Sequence, residues 1–256
     1  MHKRIIVFAI AVLLFSCSEP LVSKEAVLDE PEIFQRDTFD LFDVSRNRKI
    51  PIALYHVSSG SPKNYDKLVV FSHGYGFNSP ASYLAYSYIT DTISKLGYLV
   101  ASVQQELSGD DTIAFDGDIQ KLRMPMWERG MANLQYVINE LKQRGIVVSE
   151  PEITLMGHSN GGDISMFMAS RDSTYIDRVV SLDHMRVPIP IRQNLDVLSI
   201  RAADTSADPG VLPNDTPANV EIVQLKITQH AKMSDSASLE QRSEILQPLI
   251  RFLERK

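Results

Sequence analysis

The stretch GHSNGG at residues 157–162 follows the apolar run EITLM at residues 152–156 and precedes a helical segment. A G-x-S-x-G pattern between a strand and a helix is typical of a tight turn that lifts the serine hydroxyl clear of the sheet. Glycine is needed at 157 and 161 because a Cβ there would collide with the other arm of the turn. The following helix aims its first main-chain N–H groups at negative charge developing near the serine. The pattern therefore predicts that Ser159 is a nucleophile.

Strands and helices alternate on both sides of this turn. A hairpin is predicted over 38–44 and 49–56, and a long polar loop over 104–123. The predicted strands are 67–72, 98–103, 152–156, 176–182, 196–201 and 220–228. The predicted helices are 80–96, 160–171 and 236–254, together with a helix that contains Trp127 and ends at Gly145. This alternation predicts an α/β fold with a mostly parallel sheet and helices on both faces. Ligands bind such sheets at the carboxyl ends of the strands.

A serine hydroxyl becomes an effective nucleophile when a base removes its proton, and histidine has a suitable pKa for that task. His230 is the predicted base, because it follows the last strand and precedes the terminal helix, downstream of the serine. His158 is held inside the turn itself, and His73 lies in an earlier glycine-rich loop. Both positions fit the role of base less well.

The imidazole also needs an acid that fixes its tautomer and stabilises its charged form. Asp204 follows the strand 196–201, and Asp183 ends the strand 176–182. The sequence leaves both candidates open, with Asp204 preferred to Asp183. Asp208 is a third and less favoured choice in the same loop as Asp204.

Acyl transfer further requires hydrogen-bond donors for the negatively charged oxygen of the intermediate. The main-chain N–H directly after the nucleophile supplies one donor, which is that of Asn160. The loop HGYG at residues 73–76 supplies the other, for which we predict the main-chain N–H of Tyr75.

Three segments in this order, FSHGYG at 71–76, GHSNGG at 157–162 and an acid followed by His230, resemble the α/β-hydrolase superfamily. The resemblance covers the chain from about residue 67 to the terminal helix. It implies an α/β-hydrolase fold and a serine hydrolase that cleaves carboxylic esters through an acyl-serine intermediate. The same apparatus serves amidases, thioesterases and peptidases, and a catalytically silent binding lipoprotein could keep the fold.

Within the superfamily the chain is similar to lidless serine esterases, namely dienelactone hydrolases, bacterial polyester hydrolases with cutinase-like enzymes, and platelet-activating-factor acetylhydrolases. The first two groups carry the acid after the strand that matches 197–200, which favours Asp204. The acetylhydrolases carry it in a segment like SLDHM at 181–185, which favours Asp183.

A cap domain is not expected, because only residues 184–195 separate two strands there and Pro188 and Pro190 discourage a helix. The site should therefore be open to small or polymeric esters. The apolar residues Met185, Val187, Ile189 and Ile191 are predicted to line one wall of the resulting groove, and the alternative is that they pack beneath the edge of the sheet.

The amino terminus has the layout of an export signal, with a charged start, an apolar core and a small-residue exit. We expect a signal peptide over 1–16, a tether over 17–35 and one hydrolase domain over 36–256. Residues 14–17, LFSC, resemble a bacterial lipoprotein signal, which implies that Cys17 is lipidated and anchors the protein to a membrane of the cell envelope. An ordinary secretory signal is the alternative, and the protein would then be secreted.

Charge and composition exclude some partners. The chain has 26 Lys and Arg against 32 Asp and Glu, a formal net charge of −6, which argues against a nucleic-acid surface. No cofactor or metal is implied, because the histidines lack metal-ligand spacing and the glycine-rich segments lack a phosphate-binding pattern. We expect a monomer.

Overall fold

The computed structural model describes residues 34–57, 62–171 and 174–255 of the chain. The predicted signal peptide, Cys17 and nearly all of the predicted tether lie outside these residues. Within the described ranges, no helix is both long enough and apolar enough to span a bilayer.

A single sheet organises the part of the chain that the structure describes. Its eight strands lie in the order β1-β2-β4-β3-β5-β6-β7-β8. Antiparallel pairing joins β1 to β2 and β2 to β4, whereas all pairs from β4 onward are parallel. The predicted hairpin and mostly parallel sheet are therefore confirmed. The strands are β1 (Phe34–Asp43), β2 (Arg48–Val57), β3 (Tyr65–Ser72), β4 (Leu99–Val103), β5 (Val147–His158), β6 (Arg178–Leu182), β7 (Asp196–Arg201) and β8 (Val220–Gln224).

Helices cover both faces of this sheet. Side chains along a strand point to alternate faces, so β3 contributes Leu68 and Val70 to one core and Val69 and Phe71 to the other. The first core packs against α2 and α3 and contains Trp127, and the second packs against α1 and α4. The helices are α1 (Ser87–Lys95), α2 (Ile119–Gln143), α3 (Asn160–Ser170) and α4 (Leu239–Leu253).

The prediction of a loop over 104–123 is wrong at its carboxyl end. Helix α2 begins at Ile119, because the side chain of Asp118 caps it by accepting a hydrogen bond from the main-chain N–H of Lys121 at 3.2 Å. The helix also passes through Pro125. As a result, Arg123 lies on a helix rather than in a loop.

The turn between β5 and α3 is as tight as the glycine pattern predicts. Ser159 has φ of 52° and ψ of −122°, a backbone conformation that L-residues rarely adopt. A Cβ at Gly157 would lie 2.3 Å from the carbonyl group of Gly161, and one at Gly161 would lie 2.2 Å from the carbonyl oxygen of Ser72. Main chain therefore touches main chain at this turn, and no side chain fits between the two arms.

Replacing Gly161 by alanine should destabilise the protein severely, because the atoms that a Cβ meets are backbone atoms and cannot rotate away. We expect Gly161→Ala to lower the free energy of unfolding by more than about 3 kcal/mol, measured by urea denaturation, or to prevent folding. Gly109→Ala is the matched control, since a Cβ at Gly109 meets nothing within 4 Å. Equal stability of the two variants would contradict the close approach.

Candidate active site

Three side chains form a hydrogen-bonded chain at the carboxyl edge of the sheet. Nε2 of His230 lies 3.1 Å from Oγ of Ser159, and Nδ1 of His230 lies 2.6 Å from Oδ2 of Asp183. When Nδ1–H donates to the carboxylate, the lone pair of Nε2 faces the serine hydroxyl. This is the tautomer in which a histidine can accept the serine proton.

Asp183 is fully buried, with 0% of its surface exposed, and yet it is held as an anion. Burial acts to raise the pKa of Asp183, but the hydrogen bond from His230, the charge of Arg201 and the hydrogen bond from Thr205 together lower it to about 2. The guanidinium of Arg201 lies 2.8 Å from Oδ1, and the main-chain N–H of Ala202 donates to the same oxygen at 3.1 Å. The carboxylate is therefore charged throughout the neutral pH range.

The preference for Asp204 over Asp183 does not match this geometry. Oδ1 of Asp204 accepts a hydrogen bond from the main-chain N–H of His230 at 2.8 Å, so this side chain holds the backbone of the histidine rather than its ring. Asp208 forms an ion pair with Arg186. Asp183 reaches the ring because it turns at the end of β6 with a left-handed φ of 54°.

The residues that carry the two predicted main-chain donors are Asn160 and Tyr75. Asn160 is the first residue of α3 and directly follows Ser159. Its side chain points into the core, where Oδ1 accepts a hydrogen bond from Nε1 of Trp127 at 3.1 Å and Nδ2 donates to Oε1 of Glu106 at 3.2 Å. Tyr75 follows β3 and lines the cavity that contains Ser159.

A second hydrogen-bonded chain joins the loop before Tyr75 to His230. The Tyr86 hydroxyl accepts a hydrogen bond from the main-chain N–H of Gly74 at 3.1 Å and lies 2.8 Å from Nδ1 of His158. On the other side of the ring, Nε2 of His158 lies 3.1 Å from the carbonyl oxygen of His230. Burial lowers the pKa of His158 to about 3, so its ring is neutral. Because Tyr86 accepts from Gly74, it donates to Nδ1, and Nε2–H then donates to the carbonyl of His230. No sequence pattern pointed to Tyr86.

The serine opens into a cavity of about 580 Å³. Met185 lines it as predicted, but Val187 and Ile189 pack into the core and Ile191 is exposed at the surface, so the predicted wall of four residues is wrong. No helix lies between β6 and β7, as expected for a site without a cap. The aromatic side chains in the lining are Tyr75, Phe77, Tyr86 and Phe115, and the basic ones besides the histidines are Arg123 and Arg186.

Similar proteins share this architecture at low sequence identity. No protein-family model matches the sequence, and no curated protein is similar to it at a significant level. One solved structure that matches is P91, a dienelactone hydrolase-like promiscuous phosphotriesterase from metagenomic libraries. The match has 12% sequence identity, covers 86% of this chain and 98% of that chain, and has a TM-score of 0.59. The chain has the α/β-hydrolase fold.

Two further matches have the same fold. An esterase of the fungus Rhizomucor miehei is 15% identical over 89% of this chain and 84% of its own, with a TM-score of 0.59. The acylaminoacyl peptidase of Pyrococcus horikoshii is 13% identical over 87% of this chain and 42% of its own, also with a TM-score of 0.59. Their sequences are too distant to transfer an activity, so they establish the α/β-hydrolase fold alone.

Sequence reasoning missed a buried acid beneath the nucleophile turn of this α/β-hydrolase fold. Glu106 is 1% exposed, and its Oε2 lies 3.7 Å from Nε2 of His73 without a hydrogen-bond partner among the described residues. Burial raises the pKa of Glu106 to about 7. Its place just after β4, at a strand carboxyl end, was the signal that could have found it.

The raised pKa of Glu106 makes stability depend on pH. The Glu106 side chain keeps its proton up to about pH 7 in the folded protein but only up to about pH 4.5 in the unfolded chain. Its contribution to the free energy of unfolding is therefore fully present below pH 4.5 and is lost as the pH rises through 7. As the pH rises from 4.5 to 8, the free energy of unfolding of Glu106→Gln should increase by about 3 kcal/mol relative to that of the wild type. Urea denaturation across that range checks this, with Glu128→Gln, an exposed glutamate, as the control. A constant difference between Glu106→Gln and wild type would contradict it.

Proposed function

We propose that this protein is a serine hydrolase that cleaves carboxylic esters. The observation that carries the proposal is the hydrogen-bonded chain Ser159, His230 and Asp183, with separations of 3.1 Å and 2.6 Å. Nucleophile, base and orienting acid then stand in the order and geometry that acyl transfer requires. A cavity beside the serine, with Tyr75 in its lining, gives the substrate room.

In the first half of the reaction, Oγ of Ser159 attacks the ester carbonyl while Nε2 of His230 takes the hydroxyl proton. The carbonyl oxygen becomes negatively charged and accepts hydrogen bonds from the main-chain N–H groups of Tyr75 and Asn160. Asp183 stabilises the imidazolium that forms. When the intermediate collapses, the carbon–oxygen bond to the alcohol breaks and His230 returns the proton to the departing alkoxide.

In the second half, a water molecule attacks the acyl-serine and gives its proton to His230. The resulting intermediate collapses, releases the carboxylic acid and restores the hydroxyl of Ser159. In this proposal an ester is favoured over an amide because an alcohol leaves more readily than an amine.

A fluorophosphonate probe should label the wild-type protein on Ser159, because the activated hydroxyl displaces fluoride from phosphorus. Ser159→Ala should abolish labelling and lower the turnover of p-nitrophenyl butyrate by about a million-fold. The corresponding p-nitroanilide should be a much poorer substrate than the ester. A folded wild-type protein that neither reacts with the probe nor hydrolyses the ester would overturn the proposal.

The two aspartates should differ sharply in their effect on turnover. Asp183→Asn leaves the imidazole without its orienting anion, so we expect kcat to fall by about 10,000-fold. Asp204→Asn weakens only a main-chain hydrogen bond of His230 and should cost about tenfold or less.

Unfolding curves must accompany the kinetics, because Asp183→Asn also leaves Arg201 buried without its counter-charge. Rates are therefore compared per folded molecule. A larger loss for Asp204→Asn than for Asp183→Asn would show that the acid is misassigned.

A further inference from the structure

Arg123 is a buried arginine that forms no ion pair with any residue that the structure describes. It is only 7% exposed, and it lines the same cavity as Ser159. Its Nε donates to the carbonyl oxygen of Ala114 at 2.9 Å, and its guanidinium carbon lies 5.8 Å from the centre of the Phe115 ring. One nitrogen and the plane of the group are thus held, which orients the two terminal nitrogens for another acceptor.

The two carboxylates that act electrostatically on Arg123, those of Asp163 and Asp208, have other hydrogen-bond partners. Oδ1 of Asp163 accepts hydrogen bonds from three consecutive main-chain N–H groups, at residues 185–187. Asp208 pairs with Arg186, the second arginine of the cavity. Among the residues that the structure describes, no ion pair involves Arg123. A buried arginine without a counter-ion is costly to a protein, so this one calls for a function.

The sign of the cavity supports an anionic ligand. Its lining contains Arg123 and Arg186 but no aspartate or glutamate, although the whole chain carries a net charge of −6. Asp208 balances Arg186, and Arg201 balances Asp183 at the catalytic end. Asp163 acts on Arg123 electrostatically but forms no ion pair with it among the described residues, so the guanidinium of Arg123 remains available to a ligand.

We propose that Arg123 binds a carboxylate group of the substrate, so that the preferred esters carry a second, ionised carboxylate in their acyl part. This inference rests on the ester hydrolase function proposed above. The planar guanidinium matches a carboxylate with two parallel hydrogen bonds. A single positive charge balances a singly charged carboxylate, whereas a phosphate dianion would need further cations. A cavity of about 580 Å³ has room for hemi-esters of short dicarboxylic acids.

The test compares two esters of nearly equal size that differ in charge. Monomethyl glutarate carries the second carboxylate, and methyl 5-amino-5-oxopentanoate replaces it with a neutral amide. We expect the wild-type kcat/KM to be about 10-fold to 100-fold higher for the hemi-ester, as a charge-assisted hydrogen-bonded pair provides. Release of glutarate and of its monoamide, measured by liquid chromatography, gives both rates.

Variants then assign the preference to one side chain. Arg123→Met should reduce the ratio of the two kcat/KM values to about one, and Arg123→Lys should restore part of it. Lys121→Met is the matched control: it removes the same charge two residues away on α2, but Lys121 is exposed and does not line the cavity. This control should keep the wild-type ratio.

The outcomes separate this inference from the function on which it rests. A wild-type protein that reacts with the fluorophosphonate probe but hydrolyses both esters equally well would overturn the role of Arg123 and leave the hydrolase proposal standing. Equal loss of the preference in Arg123→Met and Lys121→Met would also overturn it, because the effect would then be one of net charge. No reaction with the probe or with either ester would refute the hydrolase function itself.

Discussion

The contact of main chain with main chain at the turn after β5 is the constraint on which the site depends. Gly161 approaches the carbonyl groups that end β3, at Ser72 and His73, so closely that no Cβ fits. The serine turn and the start of the loop that carries Tyr75 are therefore fixed to each other directly, without an intervening side chain. Such backbone contacts do not depend on rotamers, and they hold the proposed nucleophile and the start of the loop that carries Tyr75 in one rigid unit. The left-handed φ of Ser159 is the strain that accompanies this contact.

The histidine reaches this unit through hydrogen bonds rather than through backbone contact. Its ring is held by Asp183, its main-chain N–H by Asp204 and its carbonyl oxygen by His158. Each of these three residues follows or ends a different strand, β6, β7 and β5 respectively. The short turn that carries His230 is thus tied at three points to neighbouring strands, which explains how an exposed loop can present an imidazole in one orientation.

Sequence reasoning reached the elements of this arrangement but not all of its contacts. The alternation of apolar strands and amphipathic helices predicted the sheet, and strand ends predicted that Ser159, Asp183, Asp204 and His230 would lie at one edge. Whether Asp183 or Asp204 meets the ring depends on which way each loop turns, a property of backbone angles that residue types do not encode. The start of α2 follows from the local cap at Asp118, which the loop prediction missed. The position of Glu106 after β4 places it at the same edge of the sheet, but its burial depends on tertiary packing. Two of the four predicted groove residues entered the core because apolar character alone does not decide which surface a side chain covers.

Three buried carboxylates around the nucleophile turn show how this fold separates charge states by hydrogen bonding. Glu106 has one oxygen without a partner, and burial raises its pKa to about 7. Asp163 accepts three main-chain hydrogen bonds, which only partly offset its burial, and its pKa rises to about 6. Asp183 is the one of the three that accepts a hydrogen bond from an imidazole and forms an ion pair with a guanidinium, and its pKa falls to about 2. Burial is common to all three, so the difference comes from the donors that face each carboxylate. The strongest set of donors surrounds Asp183, the carboxylate that in the proposed mechanism stays charged while the imidazole beside it gains a proton.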